Sequence, residues 1–385
     1  MKRLIYILTA MMAAVSCVYP FTVDVNEVDT DSIVIEGDII IGGTSRFKMT
    51  EMLAIEGESN LQPAAIPASF TVEDDKGGSY KADFNGTVSL KSAPADRKYR
   101  LRAVRAKDGK EYVSSWQEIL EPCEIDSLSY VTNIEGRSLD LSISFHGPDE
   151  SRYYQLTLDE AWEYTSLYHA THYYIPPSST LPAGFRSSGM ITRFEGNENT
   201  YYCWKTHEIP ELNVLSTDDL KENRLVNQKI HSVRSTDDRI SYIYCLNVAV
   251  MAISKEHHAY LQHLNDVSHY TGSLFSPNPS EMRGNIRSVS DSTEFVVGYI
   301  GAGKVTSSRV FYDDKIHSFY ESPHVTYELE TLPQTAWYNS WKYGSMLPVS
   351  GNAVQGYEWA DKRCVDCRLA GGTKDKPAYW PNTHM

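Results

Sequence analysis

The chain has 385 residues, with 50 acidic against 36 basic side chains and a formal charge of −14. So acidic a surface argues against nucleic acid or an anionic membrane face as a partner. A hydrophobic fraction of 41% with 22% charged residues excludes a disordered chain, and the length admits two domains with ordinary cores.

Lys2 and Arg3 precede an uncharged apolar run from Leu4 to Val15. A helix needs about 20 apolar residues to cross a bilayer, so this run is too short and predicts a signal peptide over residues 1–16. The run ends at Ala14-Val15-Ser16-Cys17, which resembles a lipobox, although Ala14 stands where a large aliphatic residue is usual. Lipidation of Cys17 is therefore expected, with residues 17–31 as a tether. The alternative is an ordinary small-x-small cleavage site that leaves Cys17 a thiol. Each buried methylene contributes about 0.8 kcal/mol, so two or more acyl chains would anchor the protein stably.

From Ser32 the pattern is that of strands. Ile33 to Ile41 is rich in β-branched residues and ends at Gly42-Gly43. Phe70 to Glu73 and Ser79 to Phe84 alternate on either side of Asp74-Asp75-Lys76-Gly77-Gly78, and Asn85-Gly86 marks another turn. Tyr99 to Val104 alternates, turns at Lys107-Asp108-Gly109 and resumes at Glu111 to Val113. The fold class predicted is mainly β, beginning with an Ig-like β-sandwich over residues 32–122. A larger antiparallel β-rich domain with one inserted helix is expected over residues 123–385. Its strands are read at Ser138 to Phe145, Tyr153 to Leu158 and Ile240 to Ala252. The helix starts at a Ser254 cap and sets Tyr260, Leu261, Leu264 and Val267 on one face, ending near Tyr270-Thr271-Gly272. Pro176 to Gly189 reads as a long loop, and Trp337 to Tyr343 as an aromatic-rich one.

Gly298-Tyr299-Ile300-Gly301-Ala302-Gly303-Lys304 has the spacing of a phosphate-binding loop, but Val305 replaces the Mg²⁺-liganding hydroxyl and no helix follows. A structural reading is preferred. The six cysteines are Cys17, Cys123, Cys203, Cys245, Cys364 and Cys367. In an exported protein disulfides persist, and Cys364-x-x-Cys367 lacks the second pair that a zinc ribbon needs. Both cysteines are expected to be oxidised, with each other or with Cys203 or Cys245. His169, His172, His257, His258, His263 and His269 form no i, i+4 pair, so no metal site is assigned. Asp159 and Glu160 are adjacent on a strand and face opposite ways, which excludes a glycosidase pair. Trp162, Tyr164, Tyr168, Tyr173 and Tyr174 are read as packing rather than as a ligand platform. No catalytic residue is assigned. Trp337, Tyr338, Trp341 and Tyr343 are the binding candidates, because tryptophan and tyrosine dominate binding hot spots and no alternation explains these four as core.

A family becomes visible in the later half. Tyr202-Cys203-Trp204-Lys205, Gly272-Ser273-Leu274-Phe275, Pro277, Pro279, Gly284-Asn285-Ile286, Val297-Gly298-Tyr299 and Ser308-Arg309-Val310-Phe311 occur in that order. Cys364-x-x-Cys367-Arg368-x-x-Gly371-Gly372, Pro377 and Trp380 follow. The set resembles the Bacteroidota outer-membrane lipoprotein family known as domain of unknown function 4249. The resemblance implies a lipid-anchored protein of the outer membrane, often encoded beside TonB-dependent transporters, with an accessory or ligand-capturing part in nutrient uptake. It implies no catalytic residue, metal or cofactor. The rival expectations are an extracytoplasmic hydrolase whose site converges only in three dimensions, and a structural or adhesive surface protein.

Overall fold

The computed structural model describes residues 33–51, 63–194, 200–269, 284–322 and 328–381. The expected signal peptide, Cys17 and the tether lie outside the described residues. The chain is mainly β, as its alternation predicts. In Ala68–Asp74 the buried positions are Phe70, Val72 and Asp74, and in Tyr99–Arg105 they are Tyr99, Leu101 and Ala103. Period-2 burial of this kind gives each strand one face for a core. The apolar ones among them, with Ile33, Ile35, Met49 and Tyr112, belong to the first core.

That first sandwich is not contiguous in sequence, which corrects the expected boundary at residue 122. Ile286–Ser288 adds an edge strand to Glu111–Ser114. Val296–Val297 pairs in parallel with Ile33–Glu36, and Ala302–Gly303 with Ile39–Ile40. Val296, Ile300 and Ala302 are buried in the first core. Runs of two or three residues carry no readable alternation, so sequence alone could not assign them. The same segment explains the glycines of the loop-like motif. Gly298 has φ of +140°, and a Cβ there would sit 2.1 Å from the Ile35 carbonyl oxygen. Gly303 is pressed against Met251 in the same way. These glycines serve close backbone approach between strands, not phosphate binding.

The second sandwich sets the sheet of Glu124–Asn133, Ser138–His146 and Arg224–Arg234 against a four-stranded sheet. The latter runs in the order Tyr202–Ser216, Tyr153–Thr165, Ile243–Ile253, Val305–Asp313. Leu139, Leu141, Ile143 and Phe145 from one sheet meet Tyr154, Leu156, Leu158, Leu246 and Val248 from the other. The inserted helix is Lys255–His269, and the Ser254 hydroxyl accepts from the His257 amide at 3.1 Å, as a cap should. Leu261 buries against Met251 and Ile253. The Val267 side chain and Tyr270 to Gly272 lie outside the described residues.

A smaller unit combines the hairpin His172–Ile175 with Met190–Arg193 and the sheet of Glu330–Leu332, Gly356–Asp361 and Met346–Asn352. Short helices at Asp314–His317, Trp337–Lys342 and Lys362–Val365 correct the expectation of a single helix. Four to six residues are too few to show helical periodicity.

One disulfide, Cys203–Cys367, ties this unit to the second sandwich across 164 residues of chain. The expectation that Cys364 is also oxidised is corrected: Cys364 and Cys245 are buried thiols, as is Cys123. Asp366 leaves the helix in an extended conformation and accepts from the Arg368 amide, starting the turn that carries Cys367 to Cys203. Cys245 is separated from Cys203 by the intervening Tyr153–Thr165 strand. It lies opposite Ala161, whereas Cys203 lies opposite Tyr164, so the two point to opposite faces. Replacing Cys203 and Cys367 with serine should lower unfolding stability by about 2–4 kcal/mol. Cys364→Ser should leave the Cys203–Cys367 peptide intact in a non-reducing digest. A Cys364–Cys367 peptide in that digest would contradict the pairing.

Candidate functional site

The four-stranded sheet shows its outer face to solvent, and its register creates a polar row across it. Glu208 stands opposite Asp159, Asp159 opposite Asn247, and Asn247 opposite Arg309. Directly paired residues share a face, so four polar side chains from four strands lie in line. The neighbouring positions on this face are small. Ala249 and Ser307 flank the row on one side, and Ala161 and Thr206 on the other. Small side chains beside long ones leave a groove of about 530 Å³.

The C-terminal segment bounds this groove. Thr373 makes a two-way backbone pair with Trp204 at 2.9 and 3.0 Å. Trp380 then buries against Ala161, Cys245 and Phe311, and its indole N–H donates to Glu163 at 3.2 Å. Tyr379 is carried out over the groove, where the Arg309 guanidinium lies 4.0 Å from its ring centroid. The groove's charges are not neutralised within the protein: among the described residues, Asp159, Glu208 and Arg309 make no ion pair. Although Asp159 stays open to solvent, partial desolvation by the groove and then the charge of Glu208 hold its carboxyl above the usual range.

On the inner face, one residue along, Glu160 is fully buried, so the expectation that it and Asp159 face apart describes the structure. Its Oε1 accepts from Arg239 at 2.5 Å and lies 3.0 Å from His207 Nδ1, and its Oε2 accepts from the Tyr244 hydroxyl at 3.0 Å. His231 from the facing sheet comes within 3.8 Å, and burial pushes its imidazole pKa down. Arg239 is clamped from the other side by Asp237 at 2.8 Å. With both oxygens of Glu160 engaged, the network pins the end of the sandwich. Sequence reasoning missed it because its members are scattered from Glu160 to Tyr244.

The aromatic binding candidates sit elsewhere, and the expectation of a loop there is corrected. Residues 337–342 form a helix, which places Trp337 and Trp341 on one side at i, i+4. Trp337 is 7% exposed, packs 5.6 Å from Tyr357 and 6.4 Å from Trp359, and donates its N–H to the Leu332 carbonyl at 3.1 Å. Trp341 packs 5.6 Å from Tyr174. Tyr338 is half-buried and accepts from Lys342, while Tyr343 is 72% exposed. The group from Trp162 to Tyr174 is dispersed: Trp162 joins the second core, Tyr168 the cluster around Val349, and Tyr174 the cluster around Trp359. The histidines are equally scattered, and among the described residues no group of three or more His, Cys, Asp or Glu side chains is arranged to hold a metal ion.

Two β-sandwiches, the first completed by strands from a distant stretch of the chain and the second bearing an open polar groove, make this a mainly antiparallel β protein. No described helix is long and apolar enough to cross a membrane. The chain belongs to the family described as Domain of unknown function (DUF4249), whose model matches residues 18–309. The match includes the whole polar row and ends at Arg309, so Tyr379, Trp380 and Cys367 lie beyond it. No curated protein matches the sequence. Among solved structures, the "Biofilm associated protein - B domain" aligns at 6% identity and a TM-score of 0.14, covering 74% of this chain and 86% of that one.

Proposed function

We propose that the protein is a lipid-anchored binding protein of the outer membrane, held through Cys17, that captures a small polar ligand as the accessory of a TonB-dependent transporter. The observation that carries the binding half is the row of Glu208, Asp159, Asn247 and Arg309. Three charged side chains there make no ion pair among the described residues and stand at the edge of a groove. Sites for small ligands combine a concave surface with a few convergent polar groups. The membrane half is supported by the basic start, the short apolar run and the small residues before Cys17.

The test is a pull-down from detergent-solubilised outer membrane, with mass spectrometry of the mature N-terminus on the same material. A diacylglyceryl adduct on Cys17 and a co-purifying TonB-dependent transporter are the expected results. An unmodified Cys17 thiol, or a purified lipoprotein with no transporter attached, would remove the corresponding half of the reading.

A further inference from the structure

The groove's charges are arranged with polarity. At one end Asp159 and Glu208 stand directly opposite each other across two strands. Like charges in that position destabilise a sheet, and no basic side chain offsets them among the described residues. Two strands away, Arg309 holds its guanidinium over the Tyr379 ring, 4.0 Å from the centroid. Among the described residues its guanidinium N–H groups make no hydrogen bond or ion pair, so they are left to donate. Between the two ends the Asn247 amide makes only long contacts: its N–H donates at 3.4 Å to the Tyr379 hydroxyl and at 3.5 Å to the Asp159 carbonyl, and its oxygen accepts from the Cys245 thiol at 3.9 Å. Good N–H···O bonds are about 2.7–3.2 Å, so its amide is barely committed.

Resting on the binding reading above, we infer that the groove takes a short peptide with free termini. Its ammonium lies between Asp159 and Glu208, its amide against Asn247, and its carboxylate on the Arg309 edge. The lengths agree. Strands are spaced about 4.7–4.9 Å, so the Cα atoms of Asp159 and Arg309 lie about 10 Å apart. An extended dipeptide spans about 7 Å, which leaves room for a contact at each end. The small floor of Ala249 and Ser307 admits side chains lying flat along the sheet. A neutral saccharide fits less well: it brings no cation to the paired carboxylates, and one face of the Tyr379 ring is already covered by Arg309.

The experiment is titration calorimetry on the full-length lipoprotein in detergent micelles, using alanyl-alanine, its N-acetyl and C-amide forms, and maltose. The free dipeptide should bind, and blocking either terminus should weaken it about tenfold or more, as expected for losing a charge-assisted hydrogen bond. Asp159→Asn should narrow the gap between the free and acetylated peptides, Glu208 still facing the ammonium, and Arg309→Gln should equalise the acid and the amide. Both positions are solvent-exposed, so an unchanged melting temperature is expected and checks folding. Equal binding of blocked and free peptides, or no binding of the free dipeptide, overturns the inference. Maltose binding that depends on Asp159 and Arg309 also overturns it, while keeping the groove as a binding site. Intact peptide binding with no transporter in the pull-down would instead count against the transporter partnership alone.

Discussion

Glu160→Ala should destabilise the protein by about 3–5 kcal/mol, the cost of removing one partner from a buried ion pair. The carboxylate has no solvent exposure, so its loss leaves the Tyr244 hydroxyl, fully buried at the sandwich core, without an acceptor. It also strips Arg239 of one of two carboxylates. Asp237 still holds the other side of the guanidinium, which favours the lower end of that range. Glu160→Gln keeps an acceptor for Tyr244 and removes only the charge, so it should cost less than the alanine variant. Urea unfolding at neutral pH reads both. A Glu160→Ala variant within about 0.5 kcal/mol of the parent, the range of an ordinary surface substitution, would show that the network does not brace the sandwich.

The parts of this fold that the sequence made legible are those with long, regular alternation. Ser138 to Phe145 and Tyr99 to Val104 show their buried faces directly, because one side chain in two is apolar. The Ser254 cap is equally plain, since a serine hydroxyl two residues before an acidic first turn is a local signal. Three features were not legible, each for a physical reason. The strands at Ile286, Val296 and Ala302 are held by pairing with residues about 170 to 260 positions upstream, and non-local pairing leaves no local pattern. The groove row is drawn from four strands, and its meaning depends on register. Asp159 could be assigned a face from sequence, but not Glu208 as its neighbour. Trp337 and Trp341 misled because an uncapped six-residue helix between Pro333 and Gly344 has the composition of a loop. The spacing of four between those tryptophans was the signal that favoured a helix. The disulfide was half legible: four cysteines were named, and the turn at Asp366 decided which two meet.

Trp337→Ala should cost about 3–5 kcal/mol, as for other buried aromatic truncations, and the loss should be concentrated in the small C-terminal unit. Trp337 fills the space between Tyr357 and Trp359, the latter with no exposed surface at all. Its N–H bond to Leu332 fixes the strand that begins the three-stranded sheet. Removing the ring therefore opens a cavity and frees a carbonyl in one step. The unit is anchored to the second sandwich by Cys203–Cys367, so the disulfide keeps it tethered while its interior loosens. Hydrogen exchange should then show lost protection in Met346–Asn352 and Gly356–Asp361, with the Ile243–Ile253 strand unchanged. Tyr343→Ala is the control, because that ring is mostly in water and its loss should move stability by no more than about 0.5 kcal/mol. If Trp337→Ala instead kept full stability and lost association with a membrane partner, the ring would belong to a binding surface after all. Its burial beneath the helix argues for the first outcome.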